Sequence, residues 1–312
     1  MFNPLTRRQW LQTAIVSAAG AAGLARLARA AEESAKPVAA AGAPAAKDAA
    51  LFPFYAMDTG LRGPDVPTIA AKVALLKKLG YTGVDAGLSP ATLPQWLEEL
   101  DKAGLELWAV YVTLSVETGL PPTLADSVKL MKGRRTRIEL AMSSKQFKPS
   151  DPAGDAKAVE VLTQVSDWAA DTGPVVSVYP HRGSWTERVD DGVRLAKQVG
   201  RKNVGTNFNL IHWRWLPQPK PLDALLAEAL PHLMTVTING LAAAPGGKGP
   251  AADKIVPLDQ GEYDVTAFME TVKKVGYRGP VGFQGFSIPG PSEEILKHTM
   301  DKWREIMAKI SA

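Results

Sequence analysis

Residues 175–210, VVSVYPHRGSWTERVDDGVRLAKQVGRKNVGTNFNL, contain the unit from which the fold is built. A run rich in β-branched residues, 175–181, precedes a stretch with helical periodicity, 185–199, and a second strand-like run follows at 204–210. A helix between two such strands returns the chain to the edge of the sheet where the first strand began. The two strands therefore lie parallel in one sheet.

The same unit recurs eight times between residues 51 and 312. The predicted strands are residues 54–58, 83–87, 106–114, 137–143, 175–181, 204–210, 234–240 and 281–286. Helical periodicity is clearest at residues 66–79, 93–103, 155–171, 185–199, 222–230, 265–275 and 292–310, and weakest at 120–132. Eight units of this length predict an α/β protein with a single-domain (β/α)8 TIM barrel. The rival is an open doubly wound sheet, but residues 60–63, GLRG, lack the glycine spacing of a dinucleotide-binding turn.

The segment before the predicted barrel has the composition of an export signal. Residues 6–12, TRRQWLQ, place two arginines before a weakly apolar Ala/Gly run at 14–25, and Ala28-Arg29-Ala30 forms a cleavage motif. We therefore predict a twin-arginine signal peptide at residues 1–30, a low-complexity linker at 31–50, and export to the periplasm or another extracytoplasmic space. The alternative, a membrane anchor, needs a longer apolar span, so we expect no stable membrane insertion after cleavage.

Charge and cysteine content exclude several classes of function. Residues 1–30 contain four arginines and no acid, so the other 282 residues have 32 basic and 32 acidic side chains. A balanced charge does not favour nucleic acid as a partner. The chain has no cysteine, which excludes disulfides, thiolate metal ligands and a cysteine nucleophile.

Alternation along the predicted strands gives the side chains that point into the barrel. Near the carboxyl ends these are mostly polar: Asp58, Asp85, Tyr111, Glu139, Ser177, Tyr179, His181, Asn207, Asn209, Thr237, Asn239 and Gln284. Buried amides and hydroxyls need hydrogen-bond partners, and a sugar supplies both donors and acceptors. We therefore predict a small carbohydrate ligand that contacts Tyr111, Tyr179, Asn207, Asn209, Asn239 and Gln284. Alternatively, these groups satisfy one another or bind ordered water.

Three tryptophans follow the fifth and sixth predicted strands. Trp185, Trp213 and Trp215 would stack on a sugar ring if their indoles are exposed at the mouth, and we include Trp185 among the predicted binding residues. The alternative places them against the helices at the rim.

Several segments resemble a known family. They are KKLGYTGV at 77–84, LDKAGL at 100–105, YPH at 179–181, NVGTNFNLIH at 203–212 and GYRGPVGFQ at 276–284. Together they are similar to the sugar phosphate isomerase/epimerase family of xylose-isomerase-like barrels, over essentially all of residues 51–312. The resemblance is specific for the superfamily and says little about the substrate.

The resemblance implies one divalent metal, Mg, Mn or Zn, held by a Glu, an Asp, a His and a Glu on the fifth to eighth strands. In such enzymes the two glutamates also move the proton. This chain has Tyr179, Asn209, approximately Thr237 and Gln284 at those positions, and all four are uncharged. Hard cations prefer carboxylates, so we predict that the family's metal site is absent.

Three hypotheses about function remain open from the residues. In the first, His181 and His212 act as an acid–base pair, with Glu139 as a further catalytic group, in isomerisation, epimerisation or elimination of an unphosphorylated sugar or keto-sugar. In the second, the barrel is a sugar-binding protein without catalysis. In the third, it is a metalloenzyme with a relocated site among Asp58, Asp85, Glu139 and the two histidines. The sequence does not define the oligomeric state.

Overall fold

The computed structural model describes residues 51–170 and 172–311. The predicted signal peptide, 1–30, and the predicted linker, 31–50, lie outside these residues. Within the described part of the chain, no helix has both the length and the apolar character needed to cross a membrane.

Eight parallel strands close into a barrel, which confirms the predicted fold. They are β1 (Phe54–Met57), β2 (Gly83–Gly87), β3 (Glu106–Ser115), β4 (Arg137–Ser143), β5 (Val175–Val178), β6 (Val204–Asn209), β7 (Leu233–Ile238) and β10 (Val281–Phe283). Each strand pairs with its neighbour along the chain, and β10 pairs with both β7 and β1 to complete the cylinder.

Helices separate the strands. They are α1 (Ile69–Leu79), α2 (Leu93–Ala103), α3 (Leu124–Leu130), α4 (Asp155–Ala169), α5 (Val189–Val199), α6 (Leu210–Trp215), α7 (Leu222–Ala229), α8 (Val265–Lys274) and α9 (Ser292–Ser311). The weakly predicted helix at 120–132 is the short α3. Helix α5 begins four residues later than predicted, because residues 179–188 form a loop above the barrel.

Two elements were not predicted. Helix α6 follows β6 without an intervening residue, and an antiparallel hairpin of β8 (Gly240–Ala243) and β9 (Asp253–Val256) stands on the loop after β7. Both contain runs too short for periodicity to identify. Both lie at the carboxyl ends of the strands, the face on which TIM barrels place their sites.

Aromatic side chains pack inside the barrel at two levels, one near the carboxyl ends of the strands and one near their amino ends. Tyr111 and Tyr179 meet edge to face with ring centroids 5.0 Å apart, and Tyr55 stacks on Trp108 at 6.4 Å. Gly282 makes room for this packing, since a Cβ atom there would lie 2.4 Å from the Tyr55 ring.

An ionic network joins α4 to α5 outside the barrel. The Arg194 guanidinium donates to both carboxylate oxygens of Asp155 at 3.0–3.2 Å and to Asp191 at 2.7 Å. Asp191 also accepts from the Ser150 hydroxyl at 2.7 Å and from the Arg188 backbone N–H at 3.0 Å. Both carboxylates are buried, so Arg194 neutralises charges that water does not reach.

The substitution Arg194→Ala should lower the free energy of unfolding by about 2 to 4 kcal/mol, because it leaves two buried carboxylates without their cation. Urea unfolding of the full chain measures this loss. The control Lys302→Ala removes an exposed pair with Glu305 and should cost no more than about 0.5 kcal/mol. Equal losses in the two variants would contradict the prediction.

Candidate active site

Two histidines meet where β5 and β6 end. His181 lies in the loop after β5 and His212 in the first turn of α6, and their ring centroids are 4.0 Å apart. His212 is buried, whereas His181 is partly exposed at the mouth of the barrel. The sequence predicted this pair, because the carboxyl ends of neighbouring strands meet at one edge of a parallel sheet.

Hydrogen bonds with the Arg182 backbone define a different tautomer for each histidine ring. His181 Nδ1 lies 2.9 Å from the Arg182 carbonyl oxygen, which only accepts, so His181 Nδ1 carries the proton. The Arg182 backbone N–H points to His212 Nδ1 at 3.4 Å, so that nitrogen is the acceptor. His181 therefore presents an unprotonated Nε2 and His212 a protonated one.

Both rings are neutral at physiological pH. Burial lowers the pKa of His212 well below its ordinary value, and the charges of His181 and Arg182 lower it further. Burial also lowers the pKa of His181, although its hydrogen bond to the Arg182 backbone acts in the opposite direction. The His212 Nε2 atom is buried and has no hydrogen-bond partner among the described residues. A buried N–H without a partner costs free energy, so a ligand or a water that reaches the His212 Nε2 atom would restore a hydrogen bond there.

Trp215 and the β8–β9 hairpin support the pair from one side. The Trp215 indole lies edge to face against His212 at 5.4 Å and donates to the Asp253 carbonyl at 2.9 Å. The Arg182 guanidinium lies 5.4 Å from the Trp215 ring and donates to the Ala251 carbonyl at 3.3 Å. Sequence reasoning missed the role of Arg182, because an arginine in a loop has no pattern that distinguishes it from a solvated charge.

The Asn209 side chain is the hub of a buried hydrogen-bond cluster. Its Nδ2 atom lies 2.6 Å from the Tyr179 hydroxyl, 2.8 Å from Thr237 Oγ1 and 2.8 Å from Gln284 Oε1. An amide has two hydrogens, so one of them is shared between two acceptors. The Asn209 Oδ1 atom accepts from the His212 backbone N–H at 3.1 Å and caps α6. This cap is the local reason that a helix begins directly after β6.

The four residues of this cluster occupy the positions at which the resemblance places metal ligands. They converge on one point, as ligands would, but the atom at that point is the Asn209 amide nitrogen. None of the four carries a charge, and their oxygens are directed at N–H donors. This donor set does not fit a divalent cation. Among residues 51–170 and 172–311, no group of three or more His, Cys, Asp or Glu side chains could hold a metal ion.

The other predicted binding residues are also turned inward. Asn207 Oδ1 accepts from the Ser177 hydroxyl, and Asn239 Nδ2 donates to the Gly240 carbonyl at 2.7 Å. Both amides are fully buried, and Gln284 is 7% exposed. Among the predicted polar binding residues, Tyr111 is half-exposed and the other five are buried. The Asn209 side chain is satisfied within the protein, whereas the Asn207 Nδ2 and Asn239 Oδ1 atoms have no hydrogen-bond partner among the described residues.

The expectation that Trp185 is an exposed stacking platform is wrong. Its side chain is 2% exposed, and its indole N–H donates to the Asp151 carbonyl at 3.0 Å. The ring packs on Gly154, where a Cβ atom would lie 2.7 Å away. The loop after β4 folds over the indole, and sequence position alone did not indicate this. Trp213 and Trp215 are half-buried.

Glu139 and Asp85 lie inside the barrel, where burial favours the protonated form of both carboxyls. Both are buried, and none of their four carboxyl oxygens has a hydrogen bond within the described structure. Burial raises the pKa of Glu139 to about 8, although the Asn207 amide and the Arg137 charge oppose this shift. Burial, with repulsion from Glu139 and Asp58, also raises the pKa of Asp85. Glu139 has no exposed surface through which a substrate could reach it.

Comparison with known proteins identifies the family. The sequence profile of the xylose isomerase-like TIM barrel family matches residues 73–306, and the chain belongs to this family. No curated protein matches the chain at a significant level.

Three solved structures illustrate the similarity of the fold. D-allulose 3-epimerase from Methylomonas sp. is 14% identical, with a TM-score of 0.62 over 83% of this chain and 99% of that one. The 3-keto-D-glucoside 4-epimerase of E. coli is 16% identical, with a TM-score of 0.60 over 82% and 99%. A xylose isomerase-like TIM barrel protein from Mycobacterium smegmatis, in complex with magnesium, is 17% identical, with a TM-score of 0.60 over 83% and 97%.

The Glu139 carboxyl should make the stability of the protein depend on pH. Its pKa rises from 4.5 to about 8 on folding, so between pH 5 and 8 the unfolded chain has released a proton that the folded chain keeps. Stability therefore falls as pH rises through this range. The substitution Glu139→Gln should make this loss of unfolding free energy between pH 5 and 8 smaller by about 1 kcal/mol or more. Urea unfolding at pH 5, 6, 7 and 8 measures the unfolding free energy. The exposed Glu106→Gln control should keep the wild-type dependence, and a Glu139→Gln profile that matches it would refute the prediction.

Proposed function

We propose that this protein is a sugar isomerase or epimerase that moves a proton on the carbon next to a carbonyl group. The observation that supports the proposal best is the His181–His212 pair. One neutral imidazole presents a free lone pair and the other presents an N–H donor. Their ring centroids are 4.0 Å apart at the mouth of the barrel. The fold similarity to sugar epimerases agrees with this reaction class without defining the substrate.

The roles of the two rings follow from their tautomers. His181 Nε2 takes the proton from the carbon beside the carbonyl, and the electron pair of that C–H bond forms the double bond of an enediol. His212 donates its Nε2 hydrogen bond to the carbonyl oxygen and transfers this proton as negative charge develops there. A neutral imidazole is competent for this polarising role. The proton on His181 then returns to the former carbonyl carbon while the hydroxyl of the other carbon gives its proton to His212 and becomes the new carbonyl, which gives an isomer. Protonation of the original carbon by solvent on the opposite face, with return of the first hydroxyl proton to His212, gives an epimer.

The other residues position this pair. The Asn209 cap orients the first turn of α6 and with it His212. Tyr179 packs edge to face against His212 at 6.0 Å, and the half-exposed Tyr111 packs against Tyr179. We assign a substrate contact to Tyr111, since its side chain borders the mouth. Asn207, Asn239 and Glu139 have no exposed surface, and we assign them to the barrel interior.

The reaction proceeds without a metal at the family's position. The magnesium complex of the solved relative is a property of that protein. In this chain the Asn209 hub and its three neutral partners do not fit a divalent ion, and the interior carboxyls are held neutral by burial. The polarising role therefore falls to the His212 N–H group.

We also propose that the substrate is an unphosphorylated sugar outside the cytoplasm. This part of the proposal rests on the twin-arginine motif at residues 6–12 and the Ala28-Arg29-Ala30 motif.

Proton abstraction is tested by incubating the full chain with D-fructose, D-allulose or a methyl 3-keto-glucoside in D2O. We expect deuterium to enter the carbon next to the carbonyl of at least one sugar, as NMR detects. His181→Ala and His212→Ala should lower the rate at least about 100-fold, because each removes one partner of the transfer. His232→Ala, a half-buried histidine beside β7, is the matched control and should retain the wild-type rate. Retained exchange in both site variants, or none with any sugar in the wild type, would reject the proposal.

The exchange rate should also have an acidic limb below pH 6.5. The base is the unprotonated form of His181, and its pKa lies below the ordinary 6.5, so the active form persists into mildly acidic solution. A rate–pH profile between pH 4 and 8 measures the midpoint, and a midpoint above 6.5 would contradict the assignment.

Removal of divalent metals should change neither the exchange rate nor the melting temperature of the protein. Dialysis against EDTA should leave the deuterium exchange rate within about twofold, and added Mg, Mn or Zn should not raise the melting temperature, because a bound ion would stabilise the folded state by mass action. Thermal unfolding with and without about 1 mM of each ion provides a readout that does not depend on activity. A concentration of this order would saturate a specific metal site. A rise of several degrees that Asn209→Ala abolishes would overturn the metal-free mechanism.

A further inference from the structure

A second concavity opens on the same face of the barrel as the histidine pair. It has a volume of ≈ 230 Å³ and lies between the loop after β1 and the loop that joins β10 to α9. Its walls include Pro64, Ile288, Pro289 and Ile295, with Thr59 and Arg62 on the β1 side. We call this concavity the β1–β10 cleft.

The polar groups of the cleft are available to a ligand. The Thr59 Oγ1 atom is buried and has no hydrogen-bond partner among the residues that the structure describes. The Arg62 side chain is 61% exposed and meets the Asp58 carboxylate only at 3.7 Å. A hydroxyl and a guanidinium therefore line one edge, while proline and isoleucine carbons form the walls.

This combination suits the amphipathic ring of a sugar. The faces of a pyranose present C–H groups to apolar walls, and its rim presents hydroxyls that both donate and accept. Phe286, two residues before Ile288, is 48% exposed on the stretch between Gln284 and the cleft. An exposed aromatic ring offers a further apolar surface for such a ligand.

The next residue, Ser287, has a φ of 60°, in the left-handed region that costs a non-glycine residue energy. Strained backbone of this kind concentrates at functional sites. The strain thus falls on the segment that borders the cleft.

The distance between the cleft and the histidine pair sets the size of a ligand that can contact both. In the closed strand order, β6 lies three strands and β5 four strands from β1. Strands about 4.8 Å apart and tilted by about 36° give an eight-stranded barrel a diameter of roughly 15 Å. One six-membered ring against His181 cannot also fill a cleft on the far side, whereas two linked rings span the mouth.

We propose that the β1–β10 cleft binds the second ring of a disaccharide or glycoside, whose reacting ring lies against His181 and His212. The identity of the reacting ring rests on the proposed function, and the existence of the second subsite does not. The buried Asn209 cluster supports this reading, because its polar atoms bond to one another and leave the rim of the barrel as the surface on which a substrate gains binding energy.

Isothermal titration calorimetry of the full chain with cellobiose, maltose, trehalose and D-glucose tests the subsite. We expect at least one disaccharide to bind about tenfold more tightly than glucose, since it fills both positions. Arg62→Ala removes the cation, and Ile288→Trp fills the cleft. Each should weaken that disaccharide about tenfold and change glucose binding by no more than about twofold. Arg304→Ala is the control, because Arg304 is 60% exposed and pairs with Asp301 near the end of α9.

Each outcome decides the proposal. Selective loss of disaccharide affinity in both cleft variants, with none in Arg304→Ala, supports it. Equal losses for disaccharide and glucose, or a disaccharide affinity no higher than that of glucose, overturn it. Deuterium exchange separates this result from the proposed reaction, because cleft-dependent binding without exchange rejects the chemistry alone, and exchange without a disaccharide preference rejects the subsite alone.

Discussion

The Asn209 side chain is the contact on which the upper half of the barrel depends. Its Nδ2 atom joins the ends of β5, β6, β7 and β10 through Tyr179, Thr237 and Gln284, and its Oδ1 atom caps α6. One amide thus satisfies several buried polar groups that would each cost free energy if left unpaired. The same amide places His212 opposite His181, so the structural contact and the candidate chemistry share one residue.

A consequence of this arrangement is a cluster of four uncharged side chains where β5, β6, β7 and β10 end. Neutral hydrogen bonds tolerate a low dielectric better than an isolated ion does. The Asp85 and Glu139 carboxyls follow the same logic, since burial raises the pKa of both and favours their protonated forms. Tyr111 and Tyr179 complete the filling. In such surroundings two neutral imidazoles with opposite tautomers are the groups best suited to exchange a proton with a ligand.

The strands, the helices and the histidine pair could be predicted because each follows from a local pattern. Strand parity pointed to His181, the position just after the sixth predicted strand pointed to His212, and the substitution of Tyr179, Asn209 and Gln284 was visible from the resemblance. Parity also places a side chain inside the barrel without saying whether a ligand or a neighbour satisfies it. The buried amides and the buried Trp185 show this limit, because their partners come from other strands and loops.

From its order of residues, the chain specified a parallel eight-stranded barrel, an uncharged residue at each ligand position of the family and two histidines just after neighbouring strands. These properties depend on periodicity and residue type, which are written locally. Folding in three dimensions added the hydrogen bonds between the Arg182 backbone and both rings, the Asn209 hub, the docking of the β8–β9 hairpin on Trp215 and the β1–β10 cleft. Each of these joins residues distant in the chain or depends on backbone direction, and such contacts arise only when the barrel closes.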